Sequence, residues 1–273
     1  MTFDRDDVKI IFDSFHQVKG LSLLRTTSGV GGSCGIGSIS ALGSSVTGFS
    51  SSDLVFFVQN GSWAKEVVVP ASQVIKLPPL NAKQQSVLPA AISAYSILTH
   101  FKTLSPKDSV VQFSSGTSVS SAIATFGKLY DLNVVNVTDQ DLSDIKSLSA
   151  KFQTDIKLVV SSTSKTKNYQ TLMKLLAPGG ALVTYNDDVG NVDIDPIDAP
   201  IRAFIFSDVS VHGFDLIALS KSNPTAFASL VANAANLVSK GKLDTLVSRE
   251  YPVAEFASAI ADKTVGISKS LVW

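Results

Sequence analysis

Three short runs that contain consecutive valines, at 109–115, 132–139 and 156–162, are each followed by a segment with apolar residues at helical spacing. The runs read SVVQFSS, LNVVNVTD and IKLVVSS, and a fourth run, ALVTYN, follows the last helical segment. Regular alternation of strands and helices predicts parallel strands, because a crossover between parallel neighbours needs a long connection. The pattern therefore predicts an α/β fold whose centre is a doubly wound parallel sheet.

The remaining segments predict a second lobe. Residues 8–80 contain short, turn-punctuated apolar runs typical of strands, and residues 223–243 show the spacing of a long helix, with Asn223 as its N-cap and Gly241 near its end. We expect three parts, which are a mainly-β lobe at 1–85, a Rossmann-like domain at 86–216, and a C-terminal segment at 217–273 that returns to the first lobe.

Composition narrows the classes of function. The chain has 23 basic and 23 acidic residues, which gives no direct sequence signal for nucleic acid or an anionic membrane. No apolar run approaches the roughly 18 residues of a membrane span, so no membrane insertion is expected. The aspartate-rich start resembles neither a secretory signal nor a transit peptide. The single cysteine, Cys34, excludes an internal disulfide and is expected to be a small buried hydrophobe.

A metal site is not expected. His100 and His212 have no cysteine or carboxylate at the spacing of a zinc ligand set. The serine-rich SSGTSVSS also lacks the G-x-S-x-G turn of a hydrolase.

Four stretches, in order and spacing, are similar to one family. They are GVGGSCGIGSISALGSSVTGFSSSDLVFF, GSWAKEVVVPASQVIKLP, LMKLLAPGGALVTYNDDVG and FIFSDVSVHGFDL. They resemble the zinc-free, quinone-reductase-like branch of the medium-chain dehydrogenase/reductase superfamily, and most of all the mitochondrial trans-2-enoyl-CoA (enoyl thioester) reductases. The resemblance covers nearly the whole chain. It implies a GroES-like first lobe, a homodimer, NADPH as cofactor, reduction of a 2-enoyl thioester and a mitochondrial matrix location.

The cofactor motifs depart from the family pattern. Ser118 and Ser120 stand where the family has the two glycines of SGVG, although Gly116 just before them leaves room for a shifted phosphate site. The alternative is that these serines only cap a helix. Asp139 follows the next strand, where NADPH enzymes present a basic residue, and it favours NAD unless it simply flanks a helix.

The nicotinamide side departs as well. Ser164, Lys165 and Thr166 replace one glycine pair, and Asn186 and Asp187 replace another. We expect a cleft partly filled by Ser118, Ser120, Lys165 and Asp187. If a cofactor is retained, the expected contacts are Ser93, Gly116, Ser118, Ser120, Asp139 and Tyr185.

The family's proton donor is a tyrosine of the first lobe, and this chain has no tyrosine before Tyr95. The catalytic candidates are therefore Tyr95 and His16, an imidazole that titrates near neutral pH. The leading hypothesis is a non-catalytic structural or accessory subunit of a mitochondrial assembly, without a cofactor, whose partners are other subunits or a second copy. The alternatives are an active NAD(P)H-dependent reductase of 2-enoyl thioesters or quinones, and an NAD(P)H-binding sensor.

Overall fold

The computed structural model describes residues 5–11, 14–17, 32–62, 64–113, 116–152, 154–162, 168–185, 201–255, 258–259, 262 and 264–272. The chain divides into two compact units. The first unit combines Met1–Ser93 with Leu216–Trp273, and the second unit is Ala94–Asp215. The predicted start of the Rossmann-like domain at residue 86 thus lies eight residues before Ala94, where the second unit begins.

The first unit contains a five-stranded antiparallel sheet. Its core is formed by alternate residues along neighbouring strands, such as Val8 and Ile10 of one strand and Phe57 of another. Cys34 is buried as predicted, and burial raises the pKa of its thiol to about 12. The strands of this part of the chain are β1 (Asp7–Ile11), β2 (Ser14–Gln17), β3 (Cys34–Leu42), β4 (Leu54–Val58), β5 (Glu66–Pro70) and β6 (Val74–Lys76). Their order in the five-stranded sheet is β5-β1-β3-β4-β6.

The C-terminal segment belongs to the first unit. The C-terminal strand, β13, pairs in parallel with β12 on one side and antiparallel with β2 on the other. Asn223 caps α8 through its side-chain oxygen, which accepts the Ala226 amide at 3.1 Å, as the sequence predicted. The elements are α7 (Leu216–Ser222), α8 (Pro224–Ser239), β12 (Val247–Pro252) and β13 (Ile267–Val272).

The helix α1 (Ala82–His100) runs through the point where the two units divide. It matches the predicted helical spacing in VLPAAISAYSILTHF. No helix in the described part of the chain combines the length and the apolar character that a membrane crossing needs.

The second unit confirms the predicted α/β class. All neighbouring strands are parallel, in the order β11-β10-β9-β7-β8. The elements in chain order are β7 (Ser109–Phe113), α2 (Ser118–Leu129), β8 (Asn133–Val137), α3 (Asp139–Leu142), α4 (Ile145–Ser149), β9 (Ile156–Ser161), α5 (Tyr169–Met173), β10 (Ala181–Tyr185), α6 (Ile201–Ser207) and β11 (Ser210–Phe214).

The strand order reverses at β7. The chain passes from β7 outward to β8, and then crosses back to β9 on the other side of β7. In open α/β sheets, ligands bind outside the carboxyl ends of the strands at such a switch point. A ligand is therefore expected at the carboxyl ends of β7 and β9.

Close packing of α2 against β8 requires a glycine. A Cβ built on Gly127 would overlap Cγ2 of Val134, a side chain that is stiff because it branches at Cβ. Gly213 in β11 is different, since a Cβ built there meets nothing within 4 Å.

We expect Gly127→Ala to lower the free energy of unfolding by about 1–3 kcal/mol, because α2 must move away from β8. Gly213→Ala is the matched control and is expected to change it by less than about 0.5 kcal/mol. Urea denaturation followed by circular dichroism measures both. Equal stability of the two variants would contradict the close approach of α2 to β8.

Candidate functional site

Gly116 and Thr117 are the described residues of the turn from β7 into α2. Gly116 has φ +73°, a left-handed conformation that glycine adopts without steric cost. Thr117 is the N-cap of α2, and its Oγ1 accepts the amide of Ser120 at 3.0 Å. The chain therefore enters the helix at the carboxyl end of β7, next to the switch point.

Tyr185 ties this turn to another strand. It is the last residue of β10, it is 3% exposed, and its hydroxyl lies 2.9 Å from Oγ1 of Thr117. Because β9 separates β10 from β7, this hydrogen bond spans the end of β9. At that end, the Ser162 amide donates to the Phe113 carbonyl at 3.1 Å. The carboxyl ends of all three strands are thus fastened together.

Ser118 and Ser120 lie in the first turn of α2 and are 6% and 7% exposed. The cap is Thr117, so the expectation that the serines themselves cap the helix is wrong. The Ser120 hydroxyl donates to the Thr117 carbonyl at 2.8 Å, which directs it back onto the helix. Lys165 and Asp187, which were also expected to fill the cleft, lie outside the described residues.

The first turn of α2 has the properties of an anion site. The first amides of a helix have no acceptor within the helix, and the helix dipole adds partial positive charge. Thr117 engages the amide of Ser120, whereas no hydrogen bond between described residues has the amide of Ser118 or Val119 as its donor. These two amides are the first-turn donors available to a ligand. A phosphate group fits such donors, and Gly116 allows its close approach.

Asp139 lies at the carboxyl end of β8, in the first turn of α3. A capping box holds this turn: Thr138 Oγ1 accepts the Asp141 amide, and the Asp141 carboxylate accepts the Thr138 amide. The hydrogen bonds from Thr138, together with Lys151, lower the pKa of Asp141 to about 2. The Asp139 side chain is exposed, and its Oδ1 accepts the Asn168 side-chain amide at 2.9 Å.

Comparison with known proteins places this arrangement in a family. A family model described as "Zinc-binding dehydrogenase" matches residues 132–266. The mitochondrial enoyl-[acyl-carrier-protein] reductase of Homo sapiens is 30% identical over 262 residues, which cover 85% of this chain and 68% of the human protein. The mouse (Mus musculus) protein of the same name is 29% identical over 269 residues, covering 87% and 70%.

The chain belongs to the mitochondrial enoyl reductase branch of the medium-chain dehydrogenase/reductase superfamily. Solved structures agree on the fold. The mitochondrial 2-enoyl thioester reductase Etr1p/Etr2p heterodimer from Candida tropicalis has a TM-score of 0.76 at 17% identity, covering 100% of this chain and 92% of that chain. The CurK enoyl reductase has a TM-score of 0.78 at 16% identity, with the same coverage. The resemblance to mitochondrial proteins that the motifs indicated is thereby confirmed.

The description of the family model includes zinc binding. Among the residues that the structure describes, no three or more His, Cys, Asp or Glu side chains are grouped so that they could hold a metal ion. The described residues therefore do not fit a zinc site.

Two further candidate residues, Ser93 and His16, belong to the first unit. Ser93 is buried in α1, and its hydroxyl donates to the Pro89 carbonyl at 3.0 Å. The backbone of His16 pairs with Ser270 through β2 and β13, but its side chain lies outside the described part.

Tyr95 lies at the other edge of the parallel sheet. It lines a cavity together with Pro106, which precedes β7, and Leu132, which precedes β8. Those residues mark the amino ends of the strands, whereas Gly116 and Thr117 lie at the carboxyl ends. Tyr95 thus lies at the edge of the sheet opposite to the β7–α2 turn.

Thr117 was overlooked in the sequence. The signal for it was present, because Thr117 follows a glycine and directly precedes a helical segment, the usual position of an N-cap. Its bond with Tyr185 had no local signal, since the two residues are 68 positions apart in the chain.

We expect Thr117→Val to lower the free energy of unfolding by about 1–2 kcal/mol, because the Ser120 amide and the Tyr185 hydroxyl both lose a partner. Tyr185→Phe removes only one of these bonds and is expected to cost about 0.5–1.5 kcal/mol. In a double-mutant cycle by urea denaturation, the two effects should not add. Additive effects would show that the two hydroxyls do not interact.

Proposed function

We propose that this chain is an NADH-dependent reductase of 2-enoyl thioesters. The observation that carries the proposal is the turn at Gly116 and Thr117, which brings the start of α2 to the switch point between β7 and β9. The relatives are named enoyl reductases, and a related solved structure is described as a complex of Etr1p with NADP and crotonyl-CoA. These names support the active alternative better than a non-catalytic subunit.

In this proposal, the backbone at the β7–α2 turn binds the pyrophosphate of the dinucleotide. Gly116 allows the phosphate to approach, and the amides of Ser118 and Val119 donate to its oxygens. The Thr117–Tyr185 hydrogen bond holds this turn rigidly at the end of the sheet. When bound, the reduced dinucleotide supplies a hydride for the β-carbon of the conjugated thioester.

The carboxylate of Asp139 favours the binding of NADH over that of NADPH. One oxygen of its carboxylate is engaged by Asn168, and the other can accept a hydroxyl of the adenosine ribose. The same negative charge would repel a 2′-phosphate. The preference therefore follows from the charge at the end of β8, although the related Etr1p complex contains NADP.

For the proton that completes the reduction, we propose His16. An imidazole titrates near neutral pH and can donate a proton there. We also propose that the protein acts in the mitochondrial matrix, as the names of its relatives suggest, and that it assembles with a second copy or with another subunit, as in the Etr1p/Etr2p heterodimer.

The second candidate function is a non-catalytic accessory subunit. The observation that favours it is the pair of serines in the first turn of α2, where the family pattern has glycines. In that case Thr117 and Tyr185 only stabilise the fold. The two candidates differ in one measurable property, which is dinucleotide binding.

We expect NADH to raise the thermal stability of the protein, since a ligand at a hundred times its dissociation constant stabilises the fold by about 2.7 kcal/mol. Asp139→Asn should reduce the preference for NADH over NADPH by about tenfold, equivalent to about 1.4 kcal/mol. Asp155→Asn is the matched control, because Asp155 is exposed and precedes β9 at the opposite edge of the sheet.

Titration by dinucleotide fluorescence and thermal unfolding measures both effects. No binding of either dinucleotide at millimolar concentration would refute the reductase and favour the accessory subunit. Binding with an unchanged preference in Asp139→Asn would refute the role of Asp139 alone.

We expect the protein to oxidise NADH in the presence of crotonyl-CoA. His16→Asn should lower kcat at least about a hundredfold, because proton transfer by a positioned side chain contributes about 10²–10⁴ in rate. The same variant should not weaken NADH binding. Absorbance at the nicotinamide band measures turnover. Unchanged kcat in His16→Asn would assign the proton to another group, whereas NADH binding without turnover in the wild type would indicate a sensor.

A further inference from the structure

A cavity of about 350 Å³ lies at the amino edge of the parallel sheet, within the second unit. Three leucines form its apolar part: Leu98 of α1, Leu104 in the connection to β7, and Leu132 just before β8. Its volume lies at the lower end of the range of about 300–1,000 Å³ that is usual for small-molecule sites. The cavity has room for a small ligand.

Aromatic rings form one wall. Tyr95 packs against Phe126, with ring centroids 5.7 Å apart, and Phe126 is nearly parallel to Tyr130, with an interplanar angle of 8°. Tyr95 and Tyr130 both line the cavity. Burial and the neighbouring Tyr95 phenol raise the pKa of Tyr130 to about 12.

A cation lies at the same cavity. Lys102 follows the end of α1 and lines the cavity together with the two tyrosines. The ion pairs in the described part of the chain involve other lysines and Arg249, and Lys102 has no carboxylate partner there. Its ammonium approaches Gly179, which has no side chain to cover it.

We propose that this cavity binds a small amphipathic carboxylate, with its apolar chain against the three leucines and the aromatic wall, and its carboxylate at Lys102. A carboxylate supplies the charge that Lys102 lacks, and the phenols provide hydrogen bonds beside it. The ligand binds at the edge of the sheet opposite to the β7–α2 turn. The proposal is therefore independent of the dinucleotide and of the reductase activity.

The probes are octanoate and octanamide, which share an apolar chain and differ in charge. We expect octanoate to bind the full-length protein, and Lys102→Met to weaken this binding about tenfold, the effect of losing a hydrogen bond to a charged group. Lys146→Met is the matched control, because Lys146 is exposed on α4 and does not line the cavity. Octanamide should bind about tenfold more weakly than octanoate.

Nuclear Overhauser effects from octanoate to ¹³C-labelled leucine methyl groups show where the probe binds. Contacts to Leu98, Leu104 and Leu132 that persist with saturating NADH support the proposal. Contacts confined to other leucines, equal affinity for octanamide, or unchanged binding in both Lys102→Met and Lys102→Gln overturn it. Two variants at position 102 are used so that a folding defect in one, checked by circular dichroism, leaves the test intact.

Discussion

The Thr117 side chain and carbonyl hold the carboxyl edge of the parallel sheet together. Oγ1 of Thr117 lies within hydrogen-bond distance of the Ser120 amide and the Tyr185 hydroxyl. Its carbonyl accepts the Ser120 hydroxyl and the Ser121 amide. One buried residue thus joins the start of α2 to the end of β10. A buried network of this kind is stable only when all its members are paired, so the geometry of the turn is set by several bonds at once.

The two edges of the parallel sheet offer different chemistry. At the carboxyl edge lie helix amides, the left-handed Gly116 and the exposed carboxylate of Asp139, all suited to a polar, phosphate-bearing ligand. At the amino edge lie aliphatic side chains, the two tyrosines and Lys102. This asymmetry arises because all strands are parallel, so that every β-to-α turn is at one edge and every α-to-β turn is at the other.

The departures from the family pattern have a different meaning in the structure than in the sequence. Ser118 and Ser120 replace glycines, which suggested an impaired phosphate site. In the structure, the Ser120 hydroxyl bonds to the Thr117 carbonyl and Gly116 supplies the left-handed residue one position before the cap. The loss of two glycines is therefore compatible with a phosphate site at this turn. Tyr95, in contrast, was a catalytic candidate in the sequence and is at the other edge of the sheet in space.

Local patterns alone determined the elements and the class of fold. The alternating runs predicted the parallel sheet, Asn223 predicted the start of α8, and four ordered motifs indicated the family, because each depends on residues close together in the chain. Only the tertiary structure decided the partnership of Thr117 with Tyr185, the close approach of Gly127 to Val134, and the cavity around Lys102. These contacts join residues from separate strands and helices, and their geometry depends on the order in which the strands assemble.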